Sequence, residues 1–222
     1  MCGLPRRGDA LRADAAPVLF NSALVVSSGG FEWYVDKHHL YDVDKTWATA
    51  GASFAARDDV PGLEGIRLGF GICMDINPWE FEDFSLFELA TFHKEHKTQL
   101  LVFSSAWCAS HPDDRPATRE RAERRDQDAV TRDTIGTWLQ RLRPLLGSDV
   151  VFIAADRVGS EDLSLFGKKP KGEGSTTFVG NSCVLALDEP ALLGRLGTEE
   201  GLLVVDIPTD HFKAARPDSP PA

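Results

Sequence analysis

The segment IRLGFGIC, residues 66–73, constrains the fold of this chain more than any other. Apart from Arg67 it is apolar on both faces that a strand would present, and its centre is too apolar for an edge open to water. Such a strand needs neighbours on both sides and a layer on each face. It also stops abruptly: Cys73 is followed by MDINP, an acidic stretch ending in an Asn-Pro turn. A small buried thiol is one account of Cys73, since cysteine is among the most buried residue types. A thiol presented by the turn is the other. Gly69 and Gly71 do not make a dinucleotide fingerprint, because the third glycine and the helix are misplaced.

The flanking segments decide the class. FNSALVV (20–26) and FEWYV (31–35), joined by Ser-Ser-Gly-Gly, predict a β-hairpin. Residues 42–63 read as loop. Apolar spacing over 82–97 predicts a helix, 99–107 a buried strand, 109–116 a polar loop and 117–143 a long charged helix. Strands follow at 149–155, 176–187 and 201–207. Strands alternating with helices predict an α/β layered fold, in which sites lie beyond the carboxyl ends of strands. Cys73 stands at such an end, as do FSSAW and AADRVGSE. The domain is expected over 20–208, with a disordered or unrelated lead-in at 1–19 and a tail at 209–222.

Charge narrows the partners. The net charge of −10 argues against nucleic acid and against an anionic membrane surface. Cys2, Cys73, Cys108 and Cys183 are widely spaced without a CxxC pair, which fits a reducing compartment, cytoplasmic or nuclear, and neither a zinc site nor a disulfide scaffold. His93 and His96 lie three apart on the expected helix and read as a solvated face, not as metal ligands. RERAERRDQD (119–128) reads as an exposed helix with ion pairs, GKKPKGEG (167–174) as a solvated loop, and Cys108 and Cys183 as core thiols.

A cysteine at a strand-to-helix elbow gains from its place. The helix N-terminus lowers thiol pKa, and the following backbone N–H groups can hold an oxyanion. The logic resembles the nucleophile elbow of serine hydrolases, although no G-x-S-x-G occurs. A thiol nucleophile needs a base and an oxyanion partner. Lys37 and the pair His38–His39, in YVDKHHLYDVD, are the upstream candidates, and a solvated surface loop explains them equally well.

GICMDINPWEF resembles the nucleophile motif of the carbon–nitrogen hydrolase, or nitrilase, superfamily, and its Met-Asp-Ile-Asn-Pro version resembles the protein N-terminal asparagine and glutamine amidohydrolase branch. FNSALVV, DKHHLYDVDKTW, LLVFSSAW, FIAADRVGSE, TTFVGNSCVLAL and EEGLLVVDI resemble further family segments in order. The resemblance implies a four-layer αββα sandwich with a Glu-Lys-Cys triad. Cys73 matches the nucleophile, Lys37 the lysine, and the Met74 N–H an oxyanion donor. The implied reaction converts N-terminal Asn or Gln to Asp or Glu through a Cys73 thioester, releasing ammonia and feeding an N-degron pathway. No metal or organic cofactor is implied, and homodimerisation is left open. Asp75, Asp156 and Glu161 are candidate ligands of the substrate α-ammonium, and Ser104, Ser105 and Trp107 candidate pocket walls.

Three departures bear on activity. The family's glutamate precedes the lysine on a strand ending Pro-Glu, whereas the first glutamate here is Glu32, within the hairpin. The sequence is therefore expected to be N-terminally incomplete: a truncated gene model, a fragment or a decayed copy. Lys45 and Ala50 stand where the lysine loop tends to carry acids, and Asp156 replaces the Asn of an AANRVG pattern. Two other readings follow: a superfamily amidase acting on small amides, and an inactive remnant serving as a binding or dimerisation module.

Overall fold

Three successive apolar segments form the parallel centre of a sheet, and the hairpin forms a second sheet that covers it. A computed structural model of the chain describes residues 4–8, 17–108, 127–162, 175–208 and 212. Its strands are β1 (Leu4–Arg7), β2 (Leu19–Ser27), β3 (Gly30–Asp36), β4 (Ala55–Arg57), β5 (Leu68–Ile72), β6 (Leu100–Ser105), β7 (Val151–Asp156), β8 (Val158–Asp162), β9 (Ser175–Val179), β10 (Cys183–Ala186) and β11 (Ala191–Arg195). Its helices are α1 (Glu88–Glu95) and α2 (Gln127–Arg141). The large sheet runs β11-β10-β7-β6-β5-β4; β1-β2-β3 and β8-β9 form smaller ones. β5, β6 and β7 are parallel, with Ile72 opposite Ser104 and Ser105 opposite Asp156. Their carboxyl ends therefore form one rim.

Alternation along these strands builds two cores. On one face Leu101, Phe103, Phe152 and Ala154 pack with Leu89 of α1 and with Ile135 and Trp138 of α2. On the other, Leu68, Phe70, Leu100 and Val151 meet Val35, Val25 and Trp33 of the hairpin sheet. The layers are thus helix, sheet, sheet. Beyond the hairpin sheet, Leu24, Val26 and Tyr34 are exposed, and no described helix covers them. Three layers of the expected four-layer αββα sandwich are thus present among the described residues. No helix among them is long and apolar enough to cross a membrane.

Gly69 lets α1 lie close against β5. A Cβ there would sit 2.6 Å from the His93 ring. His93, expected on a solvated face, is instead fully buried. Its Nε2–H donates to the Phe70 carbonyl at 3.1 Å, which leaves Nδ1 to accept from the Thr98 hydroxyl at 2.9 Å. Both ring nitrogens serve the neutral imidazole, and burial holds its pKa down at about 4.

Other expectations need correction. Leu4–Arg7, within the supposed lead-in, pairs with β2 from Leu4–Ser22 to Arg7–Leu19. Helix α1 starts at Glu88, because Trp79–Phe81 makes a separate 3-10 turn with Glu80 at φ 53° and Phe81 at φ 59°. The strand expected over 176–187 splits into β9 and β10 in different sheets, at Gly180 (φ 65°) and Asn181 (φ 64°). Residues 201–208 alternate in burial but belong to no strand, whereas Ala191–Arg195 does. β4 lies where loop was expected, and β8 lies in a stretch to which no element was assigned. The expectations for 109–126, for GKKPKGEG (167–174) and for the tail other than Phe212 lie outside the described residues.

Because the His93 pKa is depressed on folding, the unfolded chain binds the extra proton between pH 6.5 and 4. Stability is complete above pH 6.5 and declines as pH falls towards 4, by about 3 kcal/mol in total from this residue. Urea unfolding of wild type and His93→Gln across that range checks this: the variant should lose the corresponding part of the acid sensitivity. Equal pH slopes would contradict it.

Candidate active site

Cys73 opens a one-turn 3-10 segment, Cys73–Ile76, straight after β5. It holds φ 46°, a left-handed conformation that costs a non-glycine residue energy and persists only where its surroundings fix it. The fixing group is Asp75, which is 2% exposed. Its Oδ2 accepts the Ile72 N–H at 2.8 Å, closing the turn. Its Oδ1 accepts the N–H groups of His38 and His39 at 3.0 and 2.7 Å, joining the turn to the loop after β3. Both oxygens accept from backbone donors. Burial pushes the Asp75 pKa up, and the His39 and Ile72 N–H groups oppose that. Met74 is buried at the second position of the turn, where helix geometry leaves N–H groups without an internal acceptor.

Lys37 follows β3 directly and is 3% exposed. Its N–H donates to the Asn21 carbonyl at 2.8 Å, and its carbonyl accepts from Gly51 at 2.8 Å. Gly51 is required there, since a Cβ would lie 2.5 Å from the Asp36 carbonyl oxygen. Nζ donates to Asp44 Oδ2 at 2.5 Å. Asp44 is held in turn by Asn21 Nδ2 at 2.9 Å and by the Tyr41 N–H at 3.0 Å. Sequence reasoning looked for an acid at positions 45 and 50 and missed Asp44, whose burial needs the fold to be known. Lys45 instead bridges Asp42 at 3.5 Å and Glu80 at 3.1 Å. The two histidines are structural: His38 Nδ1–H donates to the Gly51 carbonyl at 2.6 Å and His39 Nδ1–H to the Asn77 carbonyl at 2.8 Å.

The structure brings Lys37 and Cys73 into one electrostatic neighbourhood. Burial raises the thiol pKa above the ordinary value, and the Lys37 ammonium is the leading opposing influence, followed by the Ala106 backbone and Ser105. Asp156 raises it further. The thiol is therefore the resting form at neutral pH, and it needs a proton acceptor before it can attack. Among the described residues, no glutamate is among the groups that act on it.

The other candidates divide. Consecutive strand residues face opposite sides. Ser105 therefore shares the helix-side face with Phe103, while Ser104 lies with Leu100 and Val102. Asp156 Oδ1 accepts the Trp107 N–H at 2.8 Å, and the Trp107 ring packs edge-on against Trp138 at 6.0 Å. Glu161, on β8, is ion-paired with Arg157. Cys183 is buried, its pKa pushed up to about 12. Arg141, which the sequence did not single out, reaches from α2 to the carbonyls of Ile76, Phe84 and Leu86 and pins the segment after the turn. Among the described residues, no group of three or more His, Cys, Asp or Glu could hold a metal ion.

No family model matches the chain. It is 31% identical over 185 residues to the protein N-terminal amidase of Schizosaccharomyces pombe, an alignment covering 76% of this chain and 56% of that protein. The chain thus spans little more than half the length of that curated relative. Among solved structures, a carbon–nitrogen hydrolase from Helicobacter pylori G27 is similar at TM-score 0.62 and 22% identity, covering 89% of this chain and 59% of that one. An N-terminal amidase with an Asn-Glu-Ala peptide gives TM-score 0.58 and 16% identity over 88% and 74% of the two chains. An amidase from Nesterenkonia sp. AN1, with acrylamide added at its active-site cysteine, gives 0.56 and 19% over 96% and 65%.

Replacing Asp75 by Asn keeps the shape but turns an NH₂ group towards backbone N–H donors. The mismatch should cost about 1–3 kcal/mol of stability in urea unfolding. An Asp75→Asn protein as stable as wild type would contradict the bracing role.

Proposed function

Because the chain belongs to the carbon–nitrogen hydrolase (nitrilase) superfamily, we propose that it carries the cysteine-centred part of a protein N-terminal amidase. Cys73 attacks the side-chain carboxamide of an N-terminal Asn or Gln, ammonia departs, and water hydrolyses the thioester to Asp or Glu. The acid product then exposes the protein to N-degron turnover. The observation that carries this reading is the electrostatic pairing of Lys37 with a cysteine held in a left-handed elbow. An ammonium has three donors, and Asp44 occupies one of those on Lys37. The remaining two, with the Met74 N–H, suit an oxyanion forming on the attacked carbon. The 31% identity to the Schizosaccharomyces pombe protein N-terminal amidase supports the substrate class.

One observation favours a second reading, an inactive module. Lys37 and Asp44 already satisfy each other, and burial keeps Cys73 protonated. Thiol reactivity separates the two readings: a module leaves Cys73 less reactive than an ordinary free thiol.

The direct test incubates the protein with short peptides beginning in Asn or Gln, with N-acetylated controls, and follows ammonia release and amide-to-acid conversion by mass. Free N-terminal peptides should turn over and blocked ones should not. Cys73→Ala should remove at least about 10³-fold of the rate, because members of a catalytic unit do not act independently. Turnover unchanged in Cys73→Ala would refute the assignment, and equal turnover of small free amides would favour a small-amide amidase.

A further inference from the structure

Cys73 needs a proton acceptor, and the rim of the large sheet supplies one that the family resemblance does not assign. Ser105 and Asp156 are directly opposite on parallel strands, and Cys73 is the residue after Ile72, which is opposite Ser104. Ser105 and Asp156 therefore form a row on strands about 5 Å apart, and Cys73, in the turn just past β5, joins it: the Ser105 hydroxyl acts on its thiol. Ser105 and Asp156 lie on the helix side. Gly71, two residues before Cys73, faces Leu89 and Phe103, and Ser105 and Asp156 continue the alternation of Phe103 and Ala154 on that same helix side.

Two atoms in this row are unusual. Ser105, 1% exposed, has a buried Oγ without a hydrogen-bond partner, and so has Oδ2 of Asp156, 8% exposed. Buried polar atoms left open in this way are costly and call for an explanation. The Ser105 hydroxyl lies close enough to both the Cys73 thiol and the Asp156 carboxyl to favour their ionised forms, yet completes a hydrogen bond to neither. Asp156 Oδ1 is meanwhile fixed by the Trp107 N–H. The carboxyl is thus anchored by one oxygen and open at the other.

We propose that Asp156 accepts the Cys73 proton through the Ser105 hydroxyl. The S–H electron pair stays on sulfur. The thiol proton passes to Ser105 Oγ as the hydroxyl proton of Ser105 passes to Asp156 Oδ2. The thiolate gains the charge that the carboxylate loses, and the reverse path returns the proton to the departing nitrogen. The inference rests on the reading of Cys73 as the nucleophile. Burial raises the Asp156 pKa to about 7, so the group exchanges a proton near neutrality. Among the described residues, the titratable and charged groups around the row include Cys183 on β10, whose pKa of about 12 keeps it a neutral thiol, Lys37 and Tyr41 beside Cys73, and Arg157 paired with Glu161.

The test is the pH profile of Cys73 alkylation by iodoacetamide, followed by mass at that residue, with Cys73→Ser as the control. Neither test variant removes a hydrogen bond that the fold uses. Asp156→Asn keeps an oxygen for the Trp107 N–H, and Ser105→Ala removes an unpartnered hydroxyl. In wild type the rate should rise through an inflection near pH 7. Both variants should lose that inflection and react roughly ten- to a hundredfold more slowly at pH 8, and Ser105→Thr should restore it. If Asp156 only repels the thiolate, Asp156→Asn will react faster, and the proposal is overturned. An inflection persisting in both variants overturns it too. A wild-type Cys73 inert from pH 6 to 9 would sink the nucleophile reading itself.

Discussion

One buried carboxylate holds the site together. Asp75 gathers the N–H of Ile72 from the large sheet and those of His38 and His39 from the loop after the hairpin sheet. The apolar contacts between the two sheets fix distance but not the orientation of a lysine against a cysteine, and these hydrogen bonds add that orientation. Asp75 also explains how a non-glycine residue can hold φ 46° at Cys73: the strained residue is flanked by a bond that the turn can make only in that shape. A group expected from sequence to meet substrate is occupied by backbone N–H groups and braces the turn that carries Cys73.

The parts of the fold legible in the sequence were those in which burial and period agree. The IRLGFGIC strand is buried on both faces and could be nothing else, and the hairpin carries its own turn signal. What stayed hidden depends on distant contacts. His93 looks like any polar helix residue until Gly69 lets the helix approach and Phe70 offers a carbonyl. Asp44 is one aspartate among several in its loop, and only folding places it on Lys37. TTFVGNSCVLAL reads as one strand because Gly180 and Asn181 break it by backbone conformation and not by polarity. Residues 201–208 keep strand-like alternation, yet pairing is a property of two segments and alternation of one.

Of the site itself, the sequence places Cys73 and Lys37 through family resemblance, and the structure gives the pairing physical content. Lys37 lowers the thiol pKa, but burial raises it more, so proximity to an ammonium does not by itself make a thiolate. A buried cysteine nucleophile must therefore be deprotonated at the moment of attack. The carboxylates near the pair are differently occupied: Asp44 is committed to Lys37 and Asp75 to the backbone, while Asp156 keeps one oxygen open. A site that depends on a departing proton is sensitive to such differences.

The central claim is that the Lys37 ammonium and the Cys73 sulfur feel one another directly. The thiol pKa of Cys73, read from thiolate absorbance against pH in proteins lacking Cys2, Cys108 and Cys183, measures this. The comparison is with a Lys37→Met, Asp44→Asn double variant, which removes the ammonium without stranding a buried carboxylate. The account predicts a higher thiol pKa in the double variant. An unchanged value would mean that the two groups occupy separate surroundings, contrary to the site described.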